Sequence, residues 1–457
     1  MTSKAILTHD SKVICTEQFY YAPSATIAKL GNDVPVNSLF CFLSKVEPWT
    51  DDVDPPIPQI DDKSLKQVFK NMFVVKQITA GDIGLVIQRI DWKSGEIYDY
   101  YQDDVDMYQV DSNGYLLKHF YVKNKYDQVF KCLWNSNGAE STSEPYFEPG
   151  TYGTNNIYQG PDGYKWKYMY TIDTGLKVKF MDDAWMPILA TGVVPDPAQS
   201  TAGYGDIEVI NVTDGGSGYD PANAVISVVI TGDGSGAFGT VEVTDGVITD
   251  IIMTQQGSNY TYANAAIVSS IGTGATLSCP VSPVCGHGFD PIGELGVSHV
   301  MMTCEFDGSE GGYVPTDIDY HQLGIVANPS SLSRTPLPAN SAIYKTTTDL
   351  VVAPGFGLYT QDEWVYQGTS LETASFSARV LSFDAAGNVL KTINTTGSLA
   401  TNAPIFGQSS LTTRTVLSYS VPDFQIMSGY ITYIENRSAI QRSDDGIEQI
   451  RLVLGKD

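Results

Sequence analysis

Apolar and polar positions alternate most regularly along Tyr164-Lys165-Trp166-Lys167-Tyr168-Met169-Tyr170-Thr171, directly after an Asp162-Gly163 turn signal. A period of two places Tyr164, Trp166, Tyr168 and Tyr170 on one face of a strand and Lys165, Lys167, Met169 and Thr171 on the other. Four aromatic side chains in a row require burial, against a second sheet or a partner chain. This is a strand of the body rather than a catalytic loop, and Trp166 is expected between layers.

The remaining patterns follow in chain order. A short helix is expected within 10–21, and the apolar run 39–43 reads as a buried strand. The acidic, proline-rich stretch 51–58 can be neither a helix nor a central strand, because its prolines remove donors. A helix follows, capped by Asp61 or Asp62, with Leu65, Val68, Phe69 and Met72 at i, i+3, i+4 and i+7. Strand-like segments 84–90, 107–110, 116–122 and 128–133 then alternate with turns. The Gly/Asn/Pro-rich stretch 134–161 is a long connection into the aromatic strand. Residues 185–188 close this first body, and the composition changes after Pro195.

Residues 207–281 contain an internal repeat. Ile210-Asn211-Val212, Gly216-Ser217-Gly218-Tyr219 and Ala222-Asn223-Ala224 return 41 residues later as Ile251-Ile252-Met253, Gly257-Ser258-Asn259-Tyr260 and Ala263-Asn264-Ala265. Gly234-Ser235-Gly236-Ala237 recurs as Gly272-Thr273-Gly274-Ala275, three residues early. Each copy reads as three strands joined by Gly-rich turns, and two copies can bury one another's apolar faces. After a Ser/Pro linker at 330–338, short strands over 345–421 suggest a second, barrel-like module. Two strands, 430–435 and 448–454, end the chain, the last with Ile450, Leu452 and Leu454 on one face. The expected fold is mainly β: a layered β-sandwich body with a few short helices in loops, plus two small β-modules. The expected boundaries are 1–199, 284–334 and 425–457 for the body, 200–283 for the Gly-rich module and 335–424 for the barrel-like one.

Composition supports that class. A chain of 457 residues exceeds what one core usually organises. Hydrophobic residues at 42% supply a packed interior, and 17% charged residues with abundant Gly and Tyr favour strands and turns. A formal charge of −25 opposes nucleic acid and anionic lipid. Residues 1–12 lack the apolar core of a secretory signal, and no apolar run reaches the length of a membrane span. Cys15, Cys41, Cys132, Cys279, Cys285 and Cys304 are too sparse for a disulfide scaffold and are expected as free thiols of a reducing cytoplasm. Four sequons, at Asn211, Asn259, Asn394 and Asn436, carry little weight without an export signal.

No motif indicates an enzyme. Gly215-Gly216-Ser217-Gly218-Tyr219-Asp220 fits the calcium-binding GGxGxD pattern, but its repeat mate lacks the aspartate, so a turn is expected. Gly234-Ser235-Gly236-Ala237-Phe238-Gly239 fits GxGxxG, yet β-branched Thr240-Val241-Glu242-Val243 follows where a phosphate-binding helix is required. Cys279, Cys285 and His287 match no usual zinc spacing. The paired acids at 51–54, 103–106 and 182–183 fall in expected loops and read as hydrated surface charge. A polysaccharide-degrading enzyme would rest on those paired acids alone.

Five stretches, in order, resemble the baseplate wedge subunit of contractile-tailed bacteriophages of the T-even kind. They are Ser44-Lys45-Val46-Glu47-Pro48-Trp49, Arg89-Ile90-Asp91-Trp92, residues 162–172, residues 321–329 and residues 428–437. The resemblance covers most of 1–195, about 285–330 and 425–457; the two modules depart from it. It implies a non-enzymatic virion protein of the tail baseplate, made and assembled in the host cytoplasm. The implied partners are a second copy, as a homodimer, and other wedge proteins, including those carrying fibres or spikes. It implies no cofactor, metal, nucleic acid, membrane or small-molecule substrate. The implied role is to link wedge proteins and relay the rearrangement that triggers sheath contraction, which requires interfaces with two packings of similar energy. Trp49, Trp92, Tyr164, Trp166, Tyr168, Tyr433, Glu435 and Arg437 are the candidate core or interface positions, with no catalytic residue among them. A receptor- or glycan-binding tail protein is the alternative reading.

Overall fold

A computed structural model describes residues 8–21, 26–29, 32–35, 38–45, 47–151, 154–189, 203–333, 343–443 and 445–455. The composition change after Pro195 and the end of the Ser/Pro linker lie outside the described residues. The protein is mainly β, and its strands pair antiparallel in several sheets and one closed barrel.

Helix α1 (His9–Tyr21) precedes a short hairpin, β1 (Thr26–Lys29) with β2 (Asn32–Pro35). Strand β3 (Leu39–Ser44) is buried at every position, as its unbroken apolar run requires. Helix α2 (Asp62–Asn71) starts where Asp61 accepts hydrogen bonds from the Lys63 and Ser64 amides, and it passes straight into β4 (Met72–Ile78). Next come β5 (Ile83–Gln88), β6 (Tyr121–Lys123), β7 (Gln128–Asn135), β8 (Ile157–Gln159) and β9 (Tyr164–Thr171). Helix α3 (Thr174–Phe180) and β10 (Trp185–Pro187) follow.

One expected strand, 107–110, does not form, and the one expected over 116–122 forms only at its end, where β6 begins at Tyr121. Residues 107–110 and 116–119 are turns and coil with an isolated Val110–Leu116 bridge. Local aspartates capture the backbone there: Asp106 accepts from the Tyr108 amide, and Asp111 from those of Asn113 and Tyr115. The connection read over 134–161 is in turn more ordered than its composition suggests, since β7 runs on to Asn135 and β8 pairs with β9.

The repeat forms β11 (Asn211–Ser217), β12 (Ser227–Gly232), β13 (Ser235–Thr244), β14 (Val247–Ser258), β15 (Ala263–Val268) and β16 (Thr273–Ser278). Its pairs are β11 with β16, β12 with β15 and β13 with β14. Each copy's first strand therefore pairs with the other copy's last, and the middle strands pair with each other. The repeat mates Ile210 and Ile251 even bridge one another. Tyr219 and Tyr260, also mates, lie in the shared core over Gly272 and Gly234, where any Cβ would run into the ring. Neither copy could form these ladders alone.

Helix α4 (Pro291–Leu295), β17 (His299–Asp307), β18 (Asp319–Ala327) and β19 (Ile343–Lys345) come next. The closed barrel then comprises β20 (Thr348–Val352), β21 (Trp364–Gln367), β22 (Phe376–Asp384), β23 (Val389–Gly397), β24 (Pro404–Gly407) and β25 (Thr413–Ser420), in the order β20-β23-β22-β21-β24-β25. Leu350, Val365, Phe376, Val380, Leu390 and Ile405 fill it. Strands β26 (Tyr430–Gln441) and β27 (Ile447–Gly455) end the described chain. Strand β26 extends beyond the expected 430–435 because Gln441 and Ile440 pair with the start of β18.

Two compact units result. One comprises the described residues of 8–17, 84–301 and 453–455, the other those of 18–83 and 302–452. The first unit contains the sheet β6-β7-β9-β8 and the repeat module. The second contains the sheet β19-β4-β3-β18-β26 and the barrel, with Phe40, Phe42, Phe69, Val75 and Phe424 in the core of that sheet. A further sheet has the order β10-β5-β17-β27.

Candidate functional site

The aromatic strand β9 lies between β7 and β8 in its sheet, in the first unit. Tyr164, Trp166, Tyr168 and Tyr170 are all buried, Trp166 at 0% exposure. Trp166 stacks on Tyr164 with centroids 5.4 Å apart and meets Tyr98 edge-on at 5.5 Å. The tyrosine hydroxyls find local partners. Tyr164 donates to the Ala139 carbonyl (2.6 Å), Tyr170 to that of Pro187 (3.1 Å), and Tyr168 pairs with the Thr171 hydroxyl (2.8 Å). The Trp166 indole N–H is buried without an acceptor, so this ring is held by packing.

The same sheet also buries four lysines: Lys123 on β6, which pairs with Asp91, Lys131 on β7, and Lys165 and Lys167 on β9. Burying an ammonium is strongly unfavourable unless a carboxylate accompanies it, and each has one. Lys167 Nζ lies 2.9 and 2.8 Å from the two carboxylate oxygens of Glu208 and donates to the Asn155 carbonyl at 2.9 Å. Lys165 Nζ reaches Asp250 at 2.7 Å, and Gln159 donates to the other oxygen of that carboxylate at 2.7 Å. Lys131 Nζ contacts Glu294 at 3.0 Å and His287 Nδ1 at 3.1 Å, with the Tyr101 ring 4.3 Å away.

The carboxylates come from separate stretches of chain. Glu208 stands on the lead-in to the repeat module and Asp250 on β14, whereas Glu294 belongs to α4. Glu294 also accepts from the Gly288 and Asp290 amides, which binds the Cys285–His287 loop to the helix. Burial alone would push the Glu294 carboxyl up, but Lys131 and His287 outweigh it and hold it at about 2. Burial and Lys131 together lower His287 to about 3, so it is neutral and accepts through Nδ1. Burial raises Glu208 to about 7 despite Lys167, with Asp206 adding to the rise. These groups are enclosed and mutually engaged, and each pair joins separate segments of the chain ionically.

The other quoted stretches gather in two places. In the second unit, β3, β18 and β26 are neighbours, bringing Ser44, where the first stretch begins, alongside 321–329 and 428–437. Trp49 donates its indole N–H to the Arg437 carbonyl (2.9 Å), with Lys45 Nζ 4.3 Å from the ring centroid. Gln322 donates to the Asn436 side chain (2.7 Å), which donates in turn to the Pro56 carbonyl (2.6 Å). Tyr433 donates to Glu435 (3.2 Å), and Glu435 pairs with Arg437 at 2.7 Å. In the first unit, Trp92 donates to the Ser141 hydroxyl (3.0 Å), which donates to Asp162 (3.3 Å). Asp162 also accepts from the Thr142 and Ser143 amides (2.8 and 2.9 Å), so the turn before β9 anchors 141–143. Asp91 pairs with Arg89 at 2.8 Å and with Lys123 at 3.2 Å.

No family model matches this chain, and neither does any curated protein.

The weaker motifs resolve locally. Asp220 of the GGxGxD stretch accepts from the Ala222 amide and the Asn223 side chain, closing a turn. The GxGxxG stretch lies on β13 and leads into no helix. A groove of about 790 Å³ beside the barrel includes Asp317, Tyr359, Phe383, Asp384 and Lys391. Tyr359 and Arg414 pack on Phe383, while Asp384 serves the Ala386 and Gly387 amides. Sequence reasoning placed Lys165 and Lys167 opposite the aromatic face but assigned them no role. The available signal was a lysine recurring inside otherwise apolar strands, at 131, 165 and 167.

Proposed function

We propose that this chain is a structural subunit of the baseplate wedge of a contractile phage tail, linking neighbouring wedge proteins and relaying the rearrangement that triggers sheath contraction. The observation that carries the reading is the set of five stretches in family order. Support comes from their placement: in one unit two lie on adjacent strands with the start of a third beside them, and in the other Trp92 reaches, through Ser141, the turn before the aromatic strand. The use of buried charge for joining segments also suits a load-transmitting part. An antibody against the chain should decorate the tail end of purified phage particles in electron micrographs; particles lacking the chain would sink the reading. The proposed homodimer predicts a two-chain mass by light scattering at micromolar concentration, and a monomer alone would count against it.

A receptor- or glycan-binding tail protein is favoured by one observation. Tyr204, Phe238 and Tyr262 in the repeat module and Phe356 on the barrel are exposed rings, Phe356 at 99%. Full-length chain should then bind bacterial envelope, and Phe238→Ala with Phe356→Ala should weaken it. No binding by the unmodified chain retires this second reading.

A further inference from the structure

Asp206 and Glu208 lie two residues apart on the lead-in to β11, at 1% and 3% exposure. Lys167 of β9 faces Glu208, and beyond it stand Lys131 of β7, Glu294 of α4 and His287 of the preceding loop. Lys165 and Asp250 form the neighbouring pair and cancel one another. One Asp206 oxygen accepts from the Gly203 amide at 3.3 Å, while the other, Oδ1, is buried without a well-aligned donor, with only the Ser282 hydroxyl beside the carboxyl. The Ser282 amide donates to the Asp206 carbonyl at 3.1 Å, so both ends of the module meet here.

The formal charges enclosed here do not balance. Lys131 and Lys167 supply two positive charges, and Asp206, Glu208 and Glu294 supply three negative ones. His287 accepts from Lys131 and adds none. An enclosed site with one uncompensated negative charge is strongly disfavoured, and binding one proton removes the excess. A buried carboxylate oxygen without a well-aligned donor is where such a proton would reside. We propose that Asp206 and Glu208 share one proton, and that losing it weakens the hold of the 203–282 module on the lysine-bearing sheet, making this junction a pH-responsive latch. The latch does not depend on the role of the protein in a particle.

The sign follows from the carboxyls themselves. Burial raises Asp206 and raises Glu208 to about 7 from an ordinary 4.5. A carboxyl raised in the closed state contributes stability that is full below 4.5 and lost as pH rises through about 7. His287, lowered to about 3, acts in the opposite sense if opening exposes it. Comparison with Asp206→Asn at each pH cancels that contribution, since the substitution leaves His287 in place and Glu208 balanced by Lys167.

The test is hydrogen exchange on the full chain from pH 5.5 to 7.5, corrected for intrinsic rates and read over 204–211 and the Ser282 amide, with barrel amides as internal control. Relative to Asp206→Asn, opening of the unmodified chain should increase more steeply across that range, by up to about twentyfold, because burial by itself keeps part of the Glu208 rise in the variant. Glu208→Gln, which also removes the excess charge, serves as a second variant should the first not fold. If the unmodified chain and a folded variant keep parallel protection throughout, no proton is shared and the latch is refuted.

Discussion

The repeat module and the six-stranded barrel are both small β-structures, yet each is held within its unit by different physics. The barrel carries its own apolar interior, and its polar links to the rest of its unit are partly solvated. Arg379 reaches Glu47 and, at 3.1 Å, Asp362, with the Arg379 and Glu47 side chains 18% and 37% exposed. Lys391 donates to the Gly312 carbonyl at 3.1 Å. Even the buried Glu363 carboxylate is spent inside the barrel, accepting from the Thr360, Ser409 and Ser410 amides. The repeat module instead sends Glu208 and Asp250 into fully or nearly enclosed pairs with lysines of a neighbouring sheet. An apolar core stabilises a module without specifying its seat. A buried ion pair specifies the seat, because any displacement leaves an unpaired charge in a low-dielectric site.

The contrast can be broken at its strongest point. Lys167→Met leaves Glu208 buried and alone, and should lower stability by about 3–5 kcal/mol in denaturant unfolding. Adding Glu208→Leu should restore most of that loss, because the pair is then replaced by apolar groups. A double variant as unstable as the single one would show that the module depends on shape and not on charge balance. Trp166→Ala, on the aromatic side of the same strand, should cost about 3–5 kcal/mol through the cavity it leaves, and under the proposed wedge role would impair assembly only through folding. If this variant folds normally yet fails to assemble, the aromatic row is an interface.

Acid should act on the α4 side of the cluster. Glu294 is held at about 2, below an ordinary 4.5, so its contribution is present above 4.5 and lost as pH falls towards 2. His287, kept neutral down to about 3, adds a loss that begins below 6.5. Glu294→Gln should therefore flatten the acid limb of a stability–pH curve below 4.5 while lowering its plateau. An unchanged acid limb would remove Glu294 from the account. The smallest effect is expected at the barrel, where Arg379→Ala should cost about 1 kcal/mol or less by thermal unfolding, since its partners are partly hydrated. A loss as large as that of Lys167→Met would erase the distinction between the two attachments.

Much of this was legible where one rule acted without competition. The unbroken apolar run of β3, the Asp61 cap of α2 and the alternation of β9 each state their structure locally. The repeat was legible as a duplication, but its interlaced pairing was not, because offset does not say which strand bonds to which. The missed segments, 107–110 and 116–119, had the right apolar content and lost to nearby aspartates competing for the backbone. In the eight-residue candidate set, tryptophans and tyrosines stood out by size. The lysines did not, since a lysine in an alternating strand ordinarily points to water.

By itself the sequence determined the mainly-β class, the aromatic strand, the duplicated module and the lack of any familiar catalytic motif, all properties of short windows or of composition. Only the tertiary structure decided that the residues between those aromatics are buried as well. Lys165 and Lys167 are tolerated there because Asp250 and Glu208, 85 and 41 residues further along the chain, arrive to neutralise them. Charge compensation at such separations depends on where the fold returns the chain, and no local pattern encodes it.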